Sequence, residues 1–176
     1  MFHGWESFFG LTGTAAASLI GLLFIVATLR GAVRDRSQAL LGASLFLTPS
    51  AMQFGVVLAV SALALAPPLP APAAPLIVAL AALAGLGHAG WASFGIASPS
   101  VPLAAPHWSD LWLYGVAPGA LYLVLGGSAA ALAAGLAWAD AAMAAACLAL
   151  LLMAIRNAWD LVTWMAPARD ERPSGD

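Results

Sequence analysis

The side chains able to do chemistry in this sequence are few: Gln53, His88, Tyr114, Tyr122, Arg156, Asn157 and Asp160. Arg156 and Asp160 stand at i and i+4 in "AIRNAWDLVTWMA", a spacing that lets the two charges pair on one side of a helix. Two roles fit them. A pair inside a helical bundle would organise a polar cavity; a pair at the end of a membrane span would snorkel to the headgroups, with Trp159 and Trp164 as interfacial belt residues. His88, in "GLGHAGW", is surrounded by Gly85, Gly87 and Gly90, which allow close helix approach. Its imidazole suits a hydrogen bond to a neighbour such as Gln53 or Tyr122, a proton or ion pathway, or ligation of a metal or haem. No further ligands accompany it. His3 and His107 belong near opposite faces of a membrane, and the lone Cys147 excludes a cysteine-based zinc site. No metal and no cofactor are therefore expected. No catalytic residue is assigned either, because G-x-S-x-G, H-E-x-x-H, P-loop and paired-Asp patterns are absent.

The elements that must position these groups follow from composition. Of 176 residues, 62% are hydrophobic and 8% charged. Soluble domains carry about 25% charged residues, and a short soluble chain has too little interior to hide so much apolar surface. The formal charge of −2 points away from nucleic acid. A membrane span needs about 20 mostly apolar residues, and five segments qualify: 7–29, 38–66, 76–98, 110–138 and 139–166. The first lacks a basic leader and reads as a retained helix, not a cleaved signal. All basic residues are arginines, at 30, 34, 36, 156, 169 and 172. Cytoplasmic loops carry the Arg excess. The expectation is thus an all-α integral membrane protein, a single bundle of five transmembrane helices over residues 1–166 with a polar tail at 167–176. Its N-terminus would lie outside and its C-terminus inside, in a bacterial inner membrane. A four-span variant would make the second segment re-entrant at Pro49.

Proline interrupts two spans. Pro49 lies in "TPSAMQF" and Pro118 in "SDLWLYGVAPGALY". Pro118 has no N–H for the carbonyl of Tyr114 in an α-helical register, so that carbonyl, Tyr114 and Tyr122 could line a cavity. Ser109 and Asp110 suit the start of the same helix. Counting about 1.5 Å per residue places Gln53, His88, Tyr122 and Arg156 in a broad band around the membrane midplane. Thr48, Ser50, Ser93, Tyr114, Asn157 and Asp160 fall to its cytoplasmic side. Gly13, Ala17 and Gly21 recur every four residues and form a candidate helix-packing face, either within the chain or between copies. Gly126, Gly127, Ala130 and Ala134 suggest a similar face on the fourth span.

The stretches "FFGLTGTAAASLIGLLFIVATL", "TPSAMQF", "SDLWLYGVAPGALY" and "IRNAWDLVTWM" together resemble a family of small bacterial integral membrane proteins. In that family an aromatic pair and a G-x-A-A-A-x-L-x-G-L-x-F run open the chain; a T-P-x-x-x-H-F element, a D-to-P-to-Y element and a terminal N-A-W-D element follow. The resemblance marks Thr48, Pro49, Asp110, Pro118, Tyr122, Asn157, Trp159 and Asp160. Gln53 and Arg156 stand where the family often has His, which argues against an obligatory proton or metal role there. The family carries no assigned activity, so the resemblance implies a fold more than a function.

The functional expectation is a non-enzymatic membrane protein: a small channel, a transporter component or an accessory subunit, with the bilayer as its first partner and a second copy or another membrane protein as a further one. The rivals are a membrane-embedded enzyme or sensor using His88 and Tyr122, and a purely structural helix-packing partner.

Overall fold

In hydrocarbon a backbone can satisfy its N–H and C=O groups only within its own helix or a closed barrel, so each apolar run folds on itself. The structure, a computed structural model of the chain, describes residues 2, 4–30, 36–67, 69–70, 72–97 and 108–165. Helix α1 spans Glu6–Arg30, α2 Arg36–Leu65 and α3 Ala73–Ala97. A short α4, Trp108–Leu111, passes through a π-helical turn, Trp112–Val116, into α5, Ala117–Ala133. Helix α6 spans Ala139–Met165. Among the described residues five stretches are long and apolar enough to cross a membrane: Glu6–Val26, Thr48–Leu65, Ala73–Ala97, Trp112–Ala133 and Ala139–Asp160. The fold is an all-α membrane bundle of five spans. His3, Arg34, His107, Arg169 and Arg172 lie outside the described residues, as do the side chains of Arg30, Arg36, Asp110 and Trp164.

Helix α2 continues across Pro49, which is buried. Helix α5, by contrast, stops at Ala133, short of the expected 138. The stop is a Schellman motif. Gly135 takes φ +70°, a conformation glycine adopts without a steric penalty. Its N–H donates to the Leu132 carbonyl at 3.1 Å, and the Leu136 N–H donates to the Ala131 carbonyl at 2.9 Å. Residues 134–138 then turn the chain into α6.

Contacts between helices set their directions. The hydroxyls of Thr12 and Ser61 lie 3.1 Å apart, while Leu22, Leu23 and Val26 line one trough with Phe54; α1 and α2 are therefore antiparallel. The Phe2 N–H donates to Asp140 Oδ2 at 3.3 Å, and Leu19–Val26 share a trough with Ile155–Trp159, so α1 and α6 run parallel. Between them sits a core of Phe9, Phe54, Val57, Val60, Leu125, Met143, Cys147 and Leu150.

The α1 seam does not follow the small-residue spacing. Gly13 is buried, and a Cβ there would come 2.9 Å from Ser61 Cβ. Ala17 and Gly21 are exposed, and a Cβ on Gly21 would meet nothing within 4 Å. Each four-residue step advances about 40° around a helix of 3.6 residues per turn, so Gly21 has rotated out of the contact. Phe9, Thr12 and Ala16 hold the seam instead. Gly13→Ala is expected to cost about 1–2 kcal/mol by overpacking, and Gly21→Ala to stay within about 0.5 kcal/mol. Detergent unfolding of the two variants checks this; equal losses would refute the assignment of the seam.

Candidate functional site

The polar site begins at a backbone defect. In the π-helical turn the Ala117 N–H donates to the Trp112 carbonyl, a five-residue step. The next donor in that register would come from residue 118, which is proline and has none. The carbonyl left without a helical donor is therefore that of Leu113, one residue earlier than an uninterrupted α-helix implies. Asn157 on α6 fills the vacancy, its Nδ2 donating to the Leu113 oxygen at 3.1 Å. Tyr114 Oη donates to the Asn157 carbonyl at 3.4 Å. Helix α6 and the π turn are thus tied in both directions, and Asn157 is fully buried. π turns recur at functional sites because they re-aim side chains and free backbone groups.

The charges extend this tie outward. Arg156 Nη1 donates to Asn157 Oδ1 at 3.4 Å, and Arg156 Nη2 lies 3.0 Å from Asp160 Oδ2. Their side chains are 46% and 42% exposed. Arg156 and Asp160 are the first charges on α6 after Asp140 and stand toward its Met165 end, with Asn157 as the buried root of the pair.

A second group of polar atoms faces the interior. Ser50 Oγ, Gln53 Oε1, His88 Nε2 and Tyr122 Oη are all buried without a hydrogen-bond partner. Ser50 and Gln53 lie on α2 next to Phe54, which shares a trough with Ile155, Ala158 and Trp159; they are therefore level with Asn157. Tyr122 lies across Gly85 of α3 so closely that a Cβ at residue 85 would overlap its ring. His88 follows Gly85 by one turn of α3 and rests against Trp91, ring centroids 5.6 Å apart. Asp140 Oδ1, at the other end of α6, is a further buried oxygen without a partner.

The α3–α5 contact sets the height of these groups. Gly126 meets Ala82, Gly119 meets Ala89 and Leu86, and Gly115 meets Ser93. Ser93 Oγ donates to the Ala89 carbonyl at 2.8 Å. Two polar levels result. Tyr114, Ser93 and Asn157 form one; His88 and Tyr122 lie about 7–12 Å deeper along the helices.

The structure thus brings Tyr114, Arg156, Asn157 and Asp160 into one connected network, and sets Gln53, His88 and Tyr122 facing inward without linking them. Gly13 packs against Ser61, while Ala17 and Gly21 are exposed. The Leu113 carbonyl and the Thr12–Ser61 hydroxyl pair were not expected from sequence. The spacing of Gly115, Gly119 and Gly126 was a usable signal for the α3–α5 contact. Among the described residues no three His, Cys, Asp or Glu side chains cluster to hold a metal ion. No family model, curated protein or solved structure matches the chain.

Proposed function

We propose that the chain is a non-enzymatic, multi-pass protein of a bacterial inner membrane, acting as a small channel, transporter component or accessory subunit. Its N-terminus lies outside and its C-terminus inside, as the arginines at 30, 34, 36, 169 and 172 favour. Its working part is the inward-facing polar band. One observation carries this reading: Ser50, Gln53, His88 and Tyr122 each point a buried, unpartnered polar atom into an apolar bundle. Such an atom costs about 1–3 kcal/mol in a protein interior, and polar groups at membrane depth are tolerated chiefly where they meet a partner or a task. Four of them favour a polar guest, either a small hydrogen-bonding solute or ion, or a polar side chain of a partner subunit.

Cysteines placed singly at Ser50, Gln53 and Tyr122 in a Cys147→Ala protein test it. Cys147 is itself fully buried. Labelling of these positions by a soluble thiol reagent in intact membranes supports a polar path. Protection of all three, in variants that still assemble, removes the channel and transporter readings. His88 and Tyr122 also favour the rival reading of a membrane enzyme or sensor, since both reactive atoms are unbonded. That reading requires His88→Ala to abolish turnover without loss of assembly.

A further inference from the structure

A trough of about 310 Å³ opens on the side of the bundle between α1, α2 and α6. Its walls are Leu19, Leu22, Leu23 and Val26 of α1, Phe54 of α2, and Ile155, Ala158 and Trp159 of α6. Every described lining side chain is apolar or aromatic. From Leu19 to Val26 the wall is two turns long, about 10 Å at 1.5 Å per residue. One leaflet of hydrocarbon is about 15 Å thick, half the core. Arg30 stands one turn beyond Val26 on α1, and Arg156 and Asp160 are the first charges on α6 after Asp140. The trough therefore lies in the leaflet at whose end these charges stand.

At that upper end stands Arg156, between Ile155 and Trp159 in sequence. Its ion pair with Asp160 draws the guanidinium one turn further toward the end of the span. A guanidinium carries five N–H donors. Asn157 and Asp160 engage Nη1 and Nη2, and the head is nearly half exposed, leaving donors for another oxyanion. Trp159, 67% exposed, lines the trough beside it.

We propose that this is a binding site for one bilayer phospholipid. An acyl chain lies in the trough and its phosphodiester is received by Arg156. The occupant must be apolar over two helical turns and anionic where the trough meets the headgroups. Guanidinium pairs with phosphate through charge-assisted hydrogen bonds, the strong class. A transmembrane helix of a second copy could fill the apolar part but brings no phosphate to Arg156. This site is separate from the inward-facing polar band and does not depend on it.

The test uses the full-length protein, purified in detergent and delipidated. It is titrated with phosphatidylglycerol brominated on one acyl chain, and separately with a brominated alkyl maltoside that lacks phosphate. Bromine quenches tryptophan on contact, and the difference between the wild type and Trp159→Phe isolates the Trp159 signal. Saturable quenching by the phospholipid at about tenfold lower concentration than by the maltoside is expected, the effect of about 1.4 kcal/mol from the phosphate contact. Ala158→Phe, which fills the trough, should remove the saturable component. Arg156→Gln should bring the phospholipid down to the level of the maltoside, and Arg156→Lys should retain a preference. Equal quenching by the two probes in the wild type overturns the proposal. So does an unchanged phospholipid titration in both Ala158→Phe and Arg156→Gln, each checked for native helicity by circular dichroism.

Discussion

Asn157→Leu is expected to destabilise the bundle by about 2 kcal/mol, more than an interhelical hydrogen bond usually contributes. Such bonds average about 0.6 kcal/mol in membranes, because the separated helices find other partners for the same groups. In the π register the Leu113 carbonyl has no such alternative. Its donor in the π register would be residue 118, and proline supplies none in any state of the chain. Removing the Asn157 amide therefore leaves a buried carbonyl unpaired, at about 1–3 kcal/mol. The Tyr114 bond is to the backbone of residue 157 and survives the substitution. Leu shares the branching and heavy-atom count of Asn, so packing loss is a minor part. Pro118→Ala offers a check within the same protein. It restores an N–H beneath the Leu113 carbonyl, so Asn157→Leu in that background should cost about 1 kcal/mol less. A double-mutant cycle by reversible detergent unfolding reads the coupling. If the two changes are additive, the proline-gap account of Asn157 is wrong.

The spans were legible in the sequence because they rest on one property, the length of apolar runs, which a bilayer requires whatever the packing. Their ends were less so. The fourth helix was extended to Trp138 because residues 134–138 are as apolar as the helix itself; only Gly135, through its positive φ, marks the stop. The residue types of the site were also legible: Tyr114, Asn157, Arg156 and Asp160 were singled out, and they form one network. Its connection was not. Pro118 pointed to a freed carbonyl, but whether that is Tyr114's or Leu113's depends on a π turn that no local pattern announces. The Gly13, Ala17, Gly21 spacing failed to follow the seam because a four-residue repeat drifts around the helix, and only the partner helix decides where contact ceases.

The α3–α5 pair shows how close packing and polarity are combined. Glycines at 115, 119 and 126 let α5 approach Ser93, Ala89 and Ala82, small residues all. Where α5 carries Tyr122, α3 answers with Gly85. The aromatic ring is accommodated by deleting a Cβ opposite it, and its hydroxyl is carried past the α3 backbone into the interior, where it finds no partner. Packing between α3 and α5 would be served equally well by phenylalanine. The hydroxyl is thus the part of residue 122 that packing does not account for.

That distinction makes the second large effect diagnostic. Gly85→Ala is expected to cost about 3 kcal/mol, at the upper end of overpacking penalties. The new methyl would overlap ring atoms of a side chain that is 3% exposed and walled in by the core cluster, so the ring has nowhere to swing. The greater helix propensity of Ala, up to about 1 kcal/mol, is too small to offset this. In a Tyr122→Ala background the ring is gone, and Gly85→Ala should become neutral or mildly stabilising, giving a coupling of at least about 2 kcal/mol. Tyr122→Phe separates the ring from the hydroxyl. It keeps the contact with Gly85 and removes a buried, unpaired group, so it should leave stability unchanged or raise it by about 1 kcal/mol. A hydroxyl kept at such a cost fits a working group better than a structural one, since sites that act are commonly less stable than they could be. If Tyr122→Phe instead destabilises the bundle by more than about 1 kcal/mol, the hydroxyl is bonded within the fold, and the inward-facing band loses its deepest member.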